Sequence, residues 1–399
     1  MPETVIQLPT PGESMRDTYR RIRAAGEVVA VDLPGGVPAW VATSHRAVTE
    51  VLDEKLFAKN ATHCPALRNG TIAADWPMRA LTDSEHMLNQ DGAEHRRLRK
   101  TINKAFTPAR IAALQPRIEA IAAELIDSLP AADTIDLVAN YATPLPVRVI
   151  CELFGVPQPE QPWIKTWTET VLSSTSTGAQ AQTAMQSMVA YFAELLQRKR
   201  STPGDDLTSA LLAANTDNEL TDSELVDMLW VVIVAGHETT VHLLGNAIIA
   251  LDAHPDQLAL ALAEDRWAAV VEEVLRYESS VAGALMRYAR TDIQVAGVDI
   301  PAGAMMLWHG GVGRDVLHYT DAEVFDIARD QRDLLAFGHG PHFCLGAPLA
   351  RLESRVALST LYRRYPRLTL ACPAGEIDYA AQITTVGPVA VPVRLDSPR

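Results

Sequence analysis

The stretch AFGHGPHFCLGAPLARLESRVALSTL, residues 336–361, is the part of the chain from which its fold can be argued. It places Cys344, one of only four cysteines in 399 residues, in a bend rich in glycine and proline. Apolar residues then recur at helical spacing and predict a helix that starts at the cysteine. These apolar positions are Leu345, Leu349, Leu352 and Val356. A cysteine at such a place needs a reason beyond the filling of a core.

Cys344 has three candidate roles. Core filler is the usual fate of a cysteine, but here glycines open the backbone around it. As a zinc ligand it would join His339 and His342, yet no second Cys-x-x-Cys or histidine pair lies nearby to complete the set. As a thiolate ligand to haem iron it would be held ionised by the free N–H groups and the positive end of the helix. The glycines would also let the backbone approach a flat macrocycle, so the residues favour haem ligation.

The segment FGHGPHFCLG, residues 337–346, resembles the haem-binding signature of the cytochrome P450 family of haem-thiolate monooxygenases. Among its members, the chain is most similar to soluble bacterial ones, closest to those of actinobacteria. The resemblance implies that Cys344 binds the iron of haem b. It also implies that four neighbouring residues contact the haem, namely Phe337, Gly338, His342 and Gly346.

A second segment, VVIVAGHETTVHLLGNAIIAL at 231–251, interrupts an apolar helix with polar residues. Its helix is predicted to begin with a capping box formed by Thr221 and Glu224. Gly236 and Thr239 are poor choices for a helix interior, although a threonine hydroxyl can bond back to the preceding turn. The functional alternative is an oxygen pocket, in which Gly236 makes room beside the iron and Thr239 supports protons that arrive through water.

The resemblance extends to this helix, because Ala235, Gly236, Glu238 and Thr239 match the oxygen-activation motif of the family. It implies that Glu238 and Thr239 act as an acid–alcohol pair. A metalloprotease interpretation of His237-Glu238 is excluded, since the next histidine, His242, follows five residues on instead of four.

A further charged pair, outside these two segments, can be assigned a role only through the resemblance. Glu273 and Arg276 share a helix face, as many solvated pairs do. In the family, the matching pair is buried and is joined by an arginine at the position of Arg329, as a structural network around the cysteine loop.

The segment DGAEHRRLRK, residues 91–100, predicts the most basic helix of the chain, with Asp91 and Glu94 as a capping pattern. A solvated basic face is the plain explanation. The resemblance implies instead that cationic side chains hold the haem propionates, namely His95, Arg99, Arg287 and His342. Further cations would then form a docking patch for an acidic electron donor. They are Arg96, Arg97, Lys100 and Lys104.

Composition limits the remaining possibilities. A net charge of −14 excludes general nucleic-acid binding. The polar start of the chain predicts neither a signal peptide nor a membrane anchor, and the histidines and glutamate within 229–251 predict a buried helix rather than a membrane span. Sparse cysteines suit a reducing compartment. We therefore expect a cytoplasmic protein and a monomer.

The expected fold is mainly α with small β-sheets (α+β), which in the family is a helical prism that encloses the haem. One domain spans 1–399, with a short polar N-terminal arm at about 1–15. Strands are predicted within 27–43, around a Pro-Gly-Gly turn, and within 283–308 and 367–395. The loop at 58–90 is a candidate binding lid.

The expected activity is that of a haem-thiolate monooxygenase, which activates O2 to hydroxylate or otherwise oxidise a hydrophobic small molecule such as a steroid, a polyketide or another secondary metabolite. The alternative is oxidative coupling or another non-hydroxylating tailoring step on an aromatic or peptide-derived natural product. A haem sensor without turnover would need no acid–alcohol pair. Electrons would come from NAD(P)H through a ferredoxin reductase and a ferredoxin.

The predicted substrate pocket is apolar and often small in its side chains. Its candidate residues are Trp76, Met78, Met87, Leu88, Val231, Val281, Ala282, Ala284, Leu285, Ile383 and Thr384. The sequence departs from the family at Gly313, a position where many members have Asn. The packing of that turn therefore does not follow from the resemblance. His309 nearby receives no role from the sequence.

Overall fold

The computed structural model describes residues 5–8, 14–76, 78–172, 176–215, 219–281, 283, 286–330, 333–380 and 382–395. The helices are α1 Met15–Ala25, α2 His45–Leu52, α3 Pro65–Arg68, α4 Arg79–Thr82, α5 Gly92–Ala105, α6 Pro108–Ala113, α7 Gln115–Asp127, α8 Pro144–Phe154, α9 Gln161–Leu172, α10 Gly178–Ser201, α11 Leu207–Ala214, α12 Asp222–Ala253, α13 Pro255–Glu264, α14 Trp267–Tyr277 and α15 Ala347–Arg364. The strands are β1 Ile6–Gln7, β2 Val28–Leu33, β3 Val37–Ala42, β4 Phe57–Ala58, β5 Ile135–Asp136, β6 Arg287–Ala289, β7 Ile293–Val295, β8 Val298–Ile300, β9 Met305–Trp308, β10 Thr369–Leu370 and β11 Pro392–Arg394. The predicted mainly helical fold with small sheets is confirmed.

The largest sheet joins strands from both ends of the chain in the order β1-β2-β3-β9-β6-β4. Its hairpin β2–β3 turns through Gly35 and Gly36, which both adopt positive φ, as the predicted Pro-Gly-Gly turn requires. Strand β9 lies parallel to β3 and antiparallel to β6. The sheet thus brings Arg287, at the start of β6, to a fixed place beside the helical part.

Part of the N-terminal arm is tied to the large sheet. Ile6 pairs with Val31 in a parallel ladder and is buried, as is Leu8. Helix α1 then begins at Met15, where Ser14 caps it. Apolar side chains at 6 and 8 therefore tie part of this segment to the sheet, despite its polar composition.

The main core is helical and is built around α12, which packs against α8, α10, α14 and α15. Thr221 and Glu224 form the predicted capping box at its start. By length and composition alone α12 would be able to cross a membrane, but 72% of its most apolar window is buried within the fold, as in the core helix of a soluble protein. Two smaller clusters lie on the large sheet.

The predicted lid at 58–90 is not a plain loop. Its described residues form four short helical turns, which include α3, α4 and the 3-10 turn Met87–Asn89. The indole N–H of Trp76 donates to the carbonyl of Pro34 at 2.7 Å and ties this segment to the β2–β3 hairpin.

Candidate active site

The cysteine loop is held by a backbone hydrogen bond and contains glycines in the left-handed conformation. The N–H of Cys344 donates to the carbonyl of Phe337 at 3.0 Å. Gly338 and Gly340 both adopt positive φ within this loop, which explains the choice of glycine there. Helix α15 begins at Ala347 with Gly346 as its N-cap, so the prediction that the helix starts at the cysteine was early by three residues.

Cys344 is reachable by solvent but lies deep among protein atoms, so it faces an internal cleft and not the outer surface. Burial raises the pKa of its thiol, while the N–H groups of Gly346 and Ala347 and the positive charge of Arg99 act in the opposite direction. These groups favour a thiolate without outweighing its burial. A metal ion bound to the sulfur would favour the thiolate in the same direction as these groups.

Histidine and arginine side chains gather beside the loop. The rings of His95 and His342 lie 4.0 Å apart. Burial, followed by the charge of Arg99, lowers the pKa of His95 to about 4. Burial also lowers the pKa of Arg287 to about 10. Arg99 itself donates to the carbonyl of Phe343 at 2.7 Å, so it braces the cysteine loop directly.

Several nitrogens in this group are buried without a hydrogen-bond partner among the described residues. They are both ring nitrogens of His95, both ring nitrogens of His342 and Nη1 of Arg287. Unpaired buried donors are costly, so this cluster fits an anionic partner that is not part of the chain. Carboxylates beside a flat macrocycle satisfy that need, and a thiol faces the same interior. The residues present therefore fit a haem whose propionates meet this cluster.

Helix α12 presents the predicted acid and alcohol. Burial, with some help from the negative charge of Glu169, raises the pKa of Glu238 to about 7. The hydroxyl of Thr239 donates to the carbonyl of Ala235 at 3.0 Å, which is the back-bonding expected of a threonine inside a helix. Ala235 is solvent-accessible although its helix is central, so it also faces an internal space.

Gly236 has a packing role on the same helix. A Cβ atom there would lie 3.2 Å from Cδ1 of Ile150 on α8, so the glycine lets the two helices approach closely. The expected role of Gly236, to make room beside the iron, stays a prediction. In the structure Gly236 is half-buried, and its neighbour Ala235 is exposed.

Comparisons with known proteins decide the family. The family model for cytochrome P450 matches residues 26–264 and 267–370. The vitamin D(3) 25-hydroxylase of Pseudonocardia autotrophica is 39% identical over 383 residues, which cover 94% of this chain and 93% of the relative. The chain belongs to the cytochrome P450 family. It is a haem-thiolate monooxygenase of the soluble bacterial type, similar to actinobacterial members.

Solved structures agree with that assignment. The testosterone-bound CYP154C4 from Streptomyces sp. ATCC 11861 superposes with a TM-score of 0.93 at 38% identity and covers 99% of each chain. The P450 enzyme CxnD, described as forming a C–S bond in chuangxinmycin biosynthesis, has a TM-score of 0.88 at 34% identity, again over 99% of each chain. This P450 thus resembles enzymes with different chemical outcomes.

The buried ion network of this P450 follows the sequence prediction. Arg276 donates to both carboxylate oxygens of Glu273, at 2.7 and 2.9 Å, and both side chains are fully buried. Arg329 approaches Glu273 Oε1 at 3.6 Å. Arg276 also donates to the carbonyls of Gly313 and Ala322, each at 2.7 Å, and so holds two connecting turns in place.

The predicted substrate-lining residues lie in several parts of the fold. Trp76, Met78 and Ile383 are buried in one cluster on the sheet. Met87 and Val231 belong to the helical core, with Leu88 packed against it. Val281 pairs with Thr385 in an isolated bridge, and the neighbouring Thr384 is partly exposed. Ala282, Ala284 and Leu285 lie outside the described residues.

His309 gains a structural explanation. Its ring stacks on the phenol ring of Tyr19 with centroids 4.7 Å apart, and its backbone bridges Gly283. It therefore joins α1 to the segment that precedes β6, a long-range contact for which the sequence carries no signal.

Three side chains near the site were missed by sequence reasoning. Lys59 is buried and donates to the carbonyl of Met286 at 3.1 Å; burial, followed by the nearby charge of Arg287, lowers the pKa of its amine well below the ordinary value. Arg351 lies over the ring of Phe337 at 4.5 Å and pairs with Glu272. Gln382 contacts Glu238. A lysine in the otherwise apolar strand segment Phe-Ala-Lys was the one available signal among the three.

Proposed function

We propose that this P450 activates O2 to oxidise a rigid hydrophobic small molecule of steroid or polyketide type. The observation that carries the proposal is the reachable thiol of Cys344 inside the fold, beside buried imidazole and guanidinium nitrogens without partners among the described residues. When bound, haem b supplies the activation of O2 and the one-electron chemistry. Cys344 would hold its iron.

The other site residues serve binding and proton movement. Arg99 and Arg287 would hold the propionates as cations, and His95 and His342 would do so as hydrogen-bond donors. Glu238 is suited to proton transfer, because a pKa of about 7 lets its carboxyl both hold and release a proton near neutral pH.

The remaining roles fall to Thr239 on α12 and to three residues of the cysteine loop. Thr239 would pass protons through water, since its oxygen can still accept a hydrogen bond while its hydroxyl donates to Ala235. Phe337, Gly338 and Gly346 would frame the macrocycle.

The substrate class rests on the apolar character of the predicted lining and on two relatives whose names specify vitamin D(3) and testosterone. Optical titration of the purified holoenzyme with a steroid panel, a macrolide panel and fatty acids of matched hydrophobicity tests it. We expect the spectral change of substrate binding at micromolar steroid or macrolide. Tight binding of fatty acids alone would contradict the proposal.

A second outcome is favoured by one observation, the likeness to an enzyme described as forming a C–S bond. Turnover under ¹⁸O-labelled O2 separates the two. Hydroxylation places one labelled oxygen atom in the product, whereas oxidative coupling leaves the product unlabelled.

The electron donor is expected to be a ferredoxin-type iron–sulfur protein that receives electrons from NAD(P)H through a reductase. A recess on the outer face of α5 supports this, lined by His95, Arg96, Arg99, Lys100, Asn103, Lys104 and Pro341. Arg97 is less available than the sequence suggested, because it pairs with Glu94 and with Glu224 on α12. Arg96 and Lys104 therefore carry the docking proposal, with Lys100 beside them. The acidic chain and its buried α12 favour a cytoplasmic monomer.

A further inference from the structure

The segment 382–386 contacts the acid of the proposed proton path. The side-chain N–H of Gln382 donates to Oε1 of Glu238 at 2.5 Å. The two residues are separated by 144 positions in the sequence. This contact occupies one of the two oxygens of the Glu238 carboxyl.

Thr385 determines which way the amide of Gln382 points. The hydroxyl of Thr385 donates to Oε1 of Gln382. A hydroxyl that donates there requires the amide oxygen on its own side, and therefore places the NH2 group toward Glu238. The three side chains thus form a directed chain from Thr385 through Gln382 to Glu238.

The segment itself is held from several sides, so the amide is presented from a fixed backbone. Tyr19 donates its hydroxyl to the carbonyl of Ile383 at 2.8 Å. The N–H of Val386 donates to the carbonyl of Ser280 at 2.9 Å. Asn246 on α12 donates to the carbonyl of Val386 at 3.1 Å. These hydrogen bonds hold the backbone of the segment, and so help to fix the position of the Gln382 side chain.

The consequence for Glu238 is an asymmetric carboxyl. Oε1 accepts from Gln382, whereas Oε2 is buried and has no partner within the described part of the chain. The proton on a neutral carboxyl resides on the oxygen that is not already accepting a strong hydrogen bond. Oε2 is therefore the atom at which Glu238 gains and loses its proton.

We propose that Gln382 is a positioning residue, which fixes Oε2 of Glu238 as the proton-exchanging atom and is itself oriented by Thr385. The proposal rests on the proton-transfer role proposed above for Glu238.

Other groups around Glu238 have to be kept constant in a test. Glu169 on α9 adds negative charge near it. On its own helix, burial lowers the pKa of His237 and of His242 to about 4, so both histidines are neutral at working pH.

The decisive variant is Gln382→Leu in the holoenzyme. Infrared difference spectra taken across pH report the C=O band of a protonated carboxyl, and the loss of that band in Glu238→Gln assigns it. The pH at which this band has half its maximal intensity reports the pKa of Glu238. Because Gln382→Leu removes a donor to the carboxylate, this pH should rise by about one unit. Product formation should slow roughly tenfold, with peroxide rising per NAD(P)H consumed.

Two further variants keep the result interpretable. Thr385→Val leaves Gln382 in place but frees its amide to turn, and should move the band in the same direction by less. Gln294→Leu is the matched control, because Gln294 also donates to a carboxylate, that of Asp299 at 2.7 Å, on the exposed β7–β8 hairpin. It should leave the band and the product yield unchanged.

The outcomes separate the inference from the function on which it rests. An unmoved band and normal product yield in Gln382→Leu, with Glu238→Gln impaired, would overturn the inference alone. Normal yield in Glu238→Gln would overturn the proton-transfer role itself. In the double variant, Gln382→Leu should add nothing to the loss caused by Glu238→Gln. An additive loss would mean that Gln382 acts elsewhere.

Discussion

Gly313 lies directly against Arg276. Its carbonyl accepts from Nη1 of Arg276 at 2.7 Å, and a Cβ atom at 313 would lie 2.2 Å from the backbone oxygen of Arg276. Arg276 is fully buried in its pair with Glu273, so it has little room to move away. The departure at this position from the asparagine of many family members is therefore matched to the local backbone of this chain.

Gly313→Asn should destabilise this P450, although asparagine is the common residue of the family. The added side chain meets backbone that cannot shift cheaply, and overpacking of this kind costs about 1–3 kcal/mol. The melting temperature of the holoenzyme measures it. Gly375→Asn is the matched control, because nothing lies within 4 Å of a Cβ atom at 375. Equal melting temperatures for the two variants would show that the turn around 313 relaxes.

Cys344→Ser should abolish the thiolate spectrum of the reduced carbon-monoxide complex and all NAD(P)H-driven oxidation. The reason is that a serine hydroxyl does not ionise at working pH and gives the iron a weaker donor. Cys372→Ser provides the comparison, since Cys372 is partly buried and packs at the edge of the helical core. An unaltered carbon-monoxide band in Cys344→Ser would contradict the assignment of the iron ligand.

The pH dependence of this P450 should carry a signature of Glu238. Its pKa of about 7 lies above the ordinary value of 4.5, chiefly because of burial. A raised pKa means that the folded state binds the proton more tightly, so its contribution to stability is complete below about pH 4.5 and is lost as pH rises through about 7. The melting temperature of the wild type minus that of Glu238→Gln should therefore fall between pH 5 and pH 8, roughly the interval that separates the two pKa values. A constant difference would mean that Glu238 titrates normally.

Sequence patterns within a few residues predicted much of the fold. The predictions that failed involve hydrogen bonds between residues far apart in the sequence. Thr221 with Glu224 forms its capping box as predicted, since both partners lie within one helical turn. Asp91 with Glu94 shows the same pattern, and Asp91 is the N-cap residue of α5, but its side chain makes no capping hydrogen bond. The Asp91 carboxylate instead accepts from the N–H groups of Lys59 and Asn60, which the fold brings beside it.

The candidate site also combines a residue that a local motif predicted with a contact between distant segments that was not predicted. Cys344 was recognisable because a fixed run of ten residues encodes the loop. The partner of Glu238 was not, because Gln382 lies in a segment with no pattern of its own and reaches α12 only in the folded chain. Side-chain contacts between distant segments depend on the packing of the whole domain, which periodicity and capping rules do not describe.

Reversal of charge at Arg96 and Lys104 should slow reduction by a ferredoxin and flatten its dependence on salt, with substrate affinity unchanged. Both side chains are exposed in the recess beside Pro341. Stopped-flow reduction over a range of ionic strengths measures this. Reversal at Arg20 and Arg46, which are 57% and 62% exposed on α1 and α2, controls for net charge. An equal effect from both pairs would indicate a general charge effect instead of docking.

The variant Thr239→Ala distinguishes a role of the Thr239 hydroxyl in proton delivery from a purely structural role. Its hydroxyl donates to the carbonyl of Ala235, and Thr240 bonds to Gly236 in the same way at 3.3 Å. If the hydroxyl of Thr239 organises water for proton delivery, Thr239→Ala should keep its haem, its substrate affinity and its consumption of NAD(P)H. Product should then fall several-fold, with hydrogen peroxide in its place.

Thr240→Ala is the matched control for the back-bond, because it removes the same kind of hydroxyl one position along. A structural role for Thr239 predicts that both variants lose melting temperature or haem together, with peroxide per electron unchanged. Product, peroxide and consumed NAD(P)H measured beside a melting curve decide between the two. Full coupling in Thr239→Ala would mean that Glu238 delivers protons without the neighbouring alcohol, through water held by other groups of the cleft.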